Sequence, residues 1–136
     1  QNSTGTMTIT ADDSTGTGAG WNVTEQVSNL IYTGSYTGTD IPAANLAITS
    51  VGAVTATAGQ TVDNTGTDLS PTGPQSANKT SGVTGTLETA RTVFRAGVNY
   101  GLGTYTLPVN LNLEVPADSR VGTYTGTLTT TITSAP

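Results

Sequence analysis

Four aspartates are the residues of this chain best placed to do chemistry. Asp12 and Asp13 are adjacent in "DDSTGTG", and Asp63 and Asp68 bracket the similar "DNTGTD". Hard cations such as calcium take several oxygen ligands from carboxylates, amides and main-chain carbonyls on loops, so both stretches are calcium candidates. Neither follows a known calcium-loop spacing, and two acids in a turn ordinarily serve as solvated caps of that turn. A carboxylate pair for glycoside hydrolysis is defined by its separation in space, and the chain offers few aromatic residues from which to build sugar subsites. A serine nucleophile with a lysine base is a further chemistry. The one lysine, Lys79, stands in "ANKTSG" with no Ser-x-x-Lys pattern or nucleophile elbow beside it. Histidine and cysteine are absent, which removes the commonest general base, the commonest transition-metal ligand and the thiolate nucleophile. The expectation is a protein without catalysis, with calcium as its one cofactor candidate. Asn2, Asn22 and Asn78 each open an Asn-x-Ser/Thr sequon. Among so many threonines such matches arise by chance, and Asn78, in a stretch expected to be exposed, is the candidate glycan site.

The elements that would position these residues are strands. Threonine makes up 31 of 136 residues, and its β-branched side chain suits a pleated strand better than a helix. Leu107, Val109, Leu111, Leu113 and Val115 fall at every second position, with Asn110, Asn112 and Glu114 between them, the pattern of a half-buried strand. "PADSR" (116–120) supplies turn residues, and a return through Tyr124, Leu128 and Ile132 predicts an antiparallel hairpin, with Gly126 inside its second strand. Met7, Ile9 and Ala11 share one face of an N-terminal strand, and Trp21, Val23, Glu25 and Val27 share one face of the next. A turn or one short helical turn after Pro42 leads into a strand at 46–49, and Val93 and Phe94 mark another. Residues 63–82, mostly small and polar, are expected as one long exposed loop. No stretch carries helical periodicity. The reading is a single all-β domain over 1–136, an antiparallel β-sandwich of about eight short strands, immunoglobulin-like or jelly-roll-like.

Charge narrows the partners. A net charge of −5 with one Lys and three Arg leaves no basic stripe for phosphates, so nucleic acid and anionic lipid are disfavoured. No apolar run approaches the roughly 20 residues of a membrane span. The polar start at Gln1 reads as the mature end of an exported chain, and the low-lysine, Thr/Ser/Gly/Asn-rich composition as that of an extracellular surface protein.

"GTGAGWNV" and, a hundred residues later, "GTYTGTLTTTI" together resemble the WxL domain, a surface domain of Gram-positive bacteria. Its Trp-x-Leu signature is matched by Trp21-Asn22-Val23, with Val for Leu. Its distal Tyr-x-x-x-Leu-Thr-x-Thr is matched by Tyr124, Leu128, Thr129 and Thr131, with Thr130 where the family often carries an apolar residue. The resemblance spans roughly the whole chain. It implies an extracellular β-rich domain that attaches non-covalently to the cell envelope and catalyses nothing.

Family members usually carry further strand-forming sequence before the first signature, whereas twenty residues precede Trp21 here. A strand donated by a neighbour would fill that place. The uncharged segment 4–11, with Thr6, Met7, Thr8, Ile9 and Thr10 at its centre, is the candidate donor, because strand addition combines main-chain hydrogen bonds with pockets for alternate side chains. The expected function is that of a secreted structural or attachment protein of the cell surface, self-assembling into a filament or joining other cell-envelope proteins. The alternative is a carbohydrate- or cell-wall-binding module in which Trp21, Tyr32, Tyr36 or Tyr105 stack on glycan.

Overall fold

A computed structural model describes residues 1–64, 73–77 and 83–134. These form an antiparallel β-sandwich. The described strands number eleven: β1 (Asn2–Asp13), β2 (Trp21–Val27), β3 (Ile31–Thr33), β4 (Leu46–Val51), β5 (Thr55–Gly59), β6 (Gln75–Ser76), β7 (Gly85–Thr86), β8 (Arg91–Ala96), β9 (Gly103–Glu114), β10 (Thr123–Thr125) and β11 (Leu128–Ser134). The expected count of about eight was low because β6, β7 and β10 are too short to show alternation. Nor are all the strands short, since β1 and β9 run twelve residues each.

One sheet is ordered β1-β9-β4-β7, with β5 also on β9. β1 pairs with β9 along its whole length, from Asn2 opposite Glu114 to Asp13 opposite Gly103. The other edge of β9 is therefore shared: β4 takes residues 109–113 and β5 takes 103–106. Pro108 explains the division. The N–H and C=O of one residue point to the same side of an extended strand, and the Pro108 carbonyl accepts from the Gly52 N–H at 2.9 Å. The N–H that proline lacks thus falls where β4 has left and β5 has not begun, so no ladder bond is lost.

The second sheet is ordered β11-β2-β8-β6, and β3 pairs with β10 in a separate ribbon. Val93 and Phe94 are neighbours on β8 and both are fully buried, which a regular pleat forbids. The register shifts between Val23 and Thr24 so that Val93 has no partner on β2. This bulge turns two successive side chains out of the solvent. The inner faces meet in a core that includes Ile9, Ala11, Trp21, Val23, Ile48, Phe94, Tyr105, Leu107 and Val109. Each fully buried side chain of Val, Leu or Phe size stabilises by about 1.5–3 kcal/mol.

Three expectations need correction. The strand ending in Val115 and the return through Ile132 do not form a hairpin. With β1 on one side and β4 and β5 on the other, β9 has no free edge, so the chain crosses over and pairs β10 with β3 and β11 with β2. Gly126 lies in the break between β10 and β11 rather than inside a strand. Residues 63–82 are not wholly an exposed loop, because β6 joins the edge of β8 and buries Gln75 and Ala77. The short turn after Pro42 is a 3-10 helix at Ala43–Asn45, as the sequence predicts.

Candidate functional site

β1 and β11 are the terminal strands of their two sheets, and they flank the same side of the sandwich. Asp12 and Asp13 at the end of β1 and Ile132 and Ser134 at the end of β11 line one cleft of about 200 Å3, with Thr15, Gly20 and Trp21 completing it. Between these lips lies the inner face of β2.

All seven residues of β11 are exposed, as are the five of the shorter β5. The register identifies its inward side: Leu128 stands opposite Val27, Thr130 opposite Glu25 and Ile132 opposite Val23. Those β2 partners are buried, yet Leu128 is 37% and Ile132 50% exposed. The core-facing side of β11 thus overhangs the opposite sheet. Its other edge pairs with no strand among the described residues, and it carries no charge or proline of the kind that ordinarily shields an edge. On β1 the cleft is lined by its last residues, Asp12 and Asp13, and the first residues are open to solvent. Residues 2–6 are exposed, and a Cβ placed on Gly5 would meet nothing within 4 Å.

Glu25 forms the polar floor of this seam. It is fully buried, and the Thr130 hydroxyl of β11 bonds its two carboxylate oxygens at 2.8 and 2.9 Å. Burial raises its pKa above the ordinary glutamate value, and the Thr130 bond opposes that shift in part. Arg91 stands opposite Glu25 on β8, but its Nε donates to the Thr86 carbonyl at 3.2 Å.

The residues singled out from the sequence divide between core, lips and surface. Trp21 is buried, its indole N–H donates to the Gly101 carbonyl at 3.0 Å, and its ring packs edge-on to Phe94 with centroids 4.8 Å apart. Gly101 has φ +88°, and a Cβ there would lie 2.4 Å from the indole nitrogen. Val23 is likewise core. Thr6, Met7, Thr8, Ile9 and Thr10 lie in β1, which is longer than the expected 4–11 and pairs with β9 of its own chain. Thr129 and Thr131 are exposed on the outer face of β11.

The four carboxylate candidates do not converge. Asp12 and Asp13 are consecutive on a strand and point to opposite faces. Asp12 accepts from the Thr104 hydroxyl at 2.6 Å. Asp13 accepts from the Thr15 hydroxyl at 2.7 Å and the Thr15 N–H at 3.0 Å, bonds that hold its pKa below the usual aspartate value. Asp63 is buried beside β6, where its N–H donates to the Pro74 carbonyl. Asp68 lies outside the described residues, as does Asn78. Among the described residues, no three acidic, histidine or cysteine side chains come together as a metal site, and no helix is long and apolar enough to cross a membrane.

The tyrosines do not share a face. Tyr105 is core and its hydroxyl donates to the Leu102 carbonyl. Tyr36 is 66% exposed. Tyr32 and Tyr124 pack together across the β3–β10 ribbon with centroids 5.3 Å apart. No local pattern marks this pair, since it rests on a long-range pairing of two three-residue strands. No family model, curated protein or solved structure gives a match to this chain.

Proposed function

We propose that the protein is a non-catalytic structural module of the cell surface that assembles with further copies of itself through the open seam between β1 and β11. The observation that carries this reading is β11: an uncharged strand at a sheet edge, exposed on both faces, with Leu128 37% and Ile132 50% exposed on a side that no described strand covers. Such an edge is a template for another strand. Addition of a strand there would cap the free ladder groups and bury the two apolar side chains. β1 is already satisfied by its own sheet, so its donation to a neighbour would first require its release. β11 requires no such step. The glycine-rich segment 14–20 between β1 and β2, with Gly16, Gly18 and Gly20 at positive φ, is a hinge for exchange should release occur.

Placement at the cell surface, outside the cell, rests on the composition and on the WxL resemblance. A glycan platform has less support, because of the four rings considered for it only Tyr36 stands well clear of the surface. The test is negative-stain microscopy with light scattering on the native chain and on a Thr129→Lys/Thr131→Lys variant, which charges the edge without touching the core. Assembly of the native chain and much weaker assembly of the folded variant are expected. Equal assembly of both would remove β11 from the account.

A further inference from the structure

The turn between β9 and β10 ends in a tip at Arg120 and Val121 that is held rigidly although it buries nothing of its own. The Tyr124 hydroxyl accepts from the Arg120 N–H and donates to the Arg120 carbonyl, each at 2.9 Å. The Tyr32 hydroxyl donates to the Val121 carbonyl at 3.0 Å. Gly122 lets the chain pass the Tyr32 ring, since a Cβ there would lie 2.4 Å from it. The result is a valine 84% exposed beside an exposed arginine. Ordering a loop costs about 1–2 kcal/mol per residue, and an exposed valine offsets none of it. A preorganised apolar tip flanked by a guanidinium is, however, what a recognition contact requires.

Its complement lies at the other end of the same molecule. Gln1 bonds Val115, where the chain leaves β9 for the turn that carries the tip, whereas Asp13 pairs with Gly103 at the far end of β1, roughly 40 Å away for twelve residues of strand. There Asp13, Trp21 and Ile132 line the cleft together, and the bonds from Thr15 hold the Asp13 carboxyl below its ordinary pKa. Its volume of about 200 Å3 exceeds the roughly 150 Å3 of an apolar cavity that takes up benzene, so a valine side chain fits. On a chain of net charge −5, the tip sets an exposed cation against this acidic rim. Arg91 and Arg95 are half-buried within the second sheet.

We propose that the Arg120–Val121 tip of one copy docks into the Asp13–Trp21–Ile132 cleft of the next, Val121 entering the cleft and Arg120 pairing with Asp13. Because donor and acceptor lie at opposite ends of one molecule, the contact is heterologous, and it extends as a filament unless the rotation between copies closes a ring. This rests on the self-assembly reading and adds an end-to-end contact to the strand edge. The test is sedimentation velocity on the full chain. Arg120→Glu alone and Asp13→Arg alone are each expected to weaken association at least tenfold, and mixing the two to restore it, since each tip then meets an oppositely charged cleft. Val121→Ser, which leaves the Asp13 turn intact, is expected to weaken association similarly. Undiminished assembly of Arg120→Glu and Val121→Ser, beside a monomeric Thr129→Lys/Thr131→Lys variant, would overturn the tip contact and leave the strand edge standing. A native chain that stays monomeric throughout would overturn both.

Discussion

The molecule holds two aromatic clusters, built with similar devices to opposite ends. Around Trp21, a ring N–H bonds a main-chain carbonyl and a glycine makes room for the ring. Around Tyr32 and Tyr124, ring hydroxyls bond main-chain groups, and Gly34, Gly38 and Gly122 make room. The first cluster is sealed between the sheets with Phe94 and Tyr105. The second is half-exposed and supports residues that are not buried at all, Val121 above all. Similar local chemistry thus serves stability in one place and presentation in the other. Substitutions should therefore separate the two.

The largest effect is expected at the first cluster. Trp21→Ala should cost about 3–5 kcal/mol, read as a fall in the denaturant midpoint, because it opens a cavity in a packed core. A loss under about 1 kcal/mol would contradict the core role. Tyr124→Phe should cost about 1 kcal/mol or less and speed amide hydrogen exchange at Arg120, whose N–H loses its acceptor. If instead Tyr124→Phe destabilised as much as Trp21→Ala, the two clusters would be equivalent.

Buried Glu25 makes the stability of the sandwich depend on pH. Its raised pKa means that the folded chain holds this proton more tightly than the unfolded chain does. Its contribution to stability is thus intact below the ordinary glutamate value of 4.5 and is lost as pH rises through the raised value. Glu25→Gln, which still offers Thr130 an acceptor, should stabilise the protein by on the order of 1 kcal/mol at pH 7 and leave it little changed at acidic pH. Equal thermal stability of both proteins at pH 7 would show that the carboxylate is already hydrated beneath β11. The smallest effect on stability is expected at the tip: Val121→Ser should move the unfolding free energy by less than about 0.5 kcal/mol, in contrast to its effect on association.

Period-two alternation marked β1, β2 and β9 in the sequence, because each buries one face along much of its length. The β-branched composition and the Pro42 turn were legible for similarly local reasons. The crossover of β10 and β11 was not, since occupancy of both edges of β9 is a long-range property. β6 escaped notice because two residues carry no period, and its stretch had the composition of a loop. Of the site, Trp21 and Ile132 were visible as apolar positions of strands. That Ile132 faces inward and is nevertheless uncovered depends on how far one sheet overhangs the other, which no local pattern encodes. Of the tip, only Arg120 is legible, as the last residue of the 116–120 turn, because the hydroxyls that hold the tip come from Tyr124, four residues on, and Tyr32, far earlier in the chain.

The most direct test of assembly through the seam is hydrogen exchange of the β11 amides as protein concentration is raised. The amides of residues 128–134 that point away from β2 should exchange freely in dilute monomer and become protected in the assembled protein, alongside unchanged protection of β9. Assembled particles in which those amides still exchange freely would place the contact elsewhere and contradict the account.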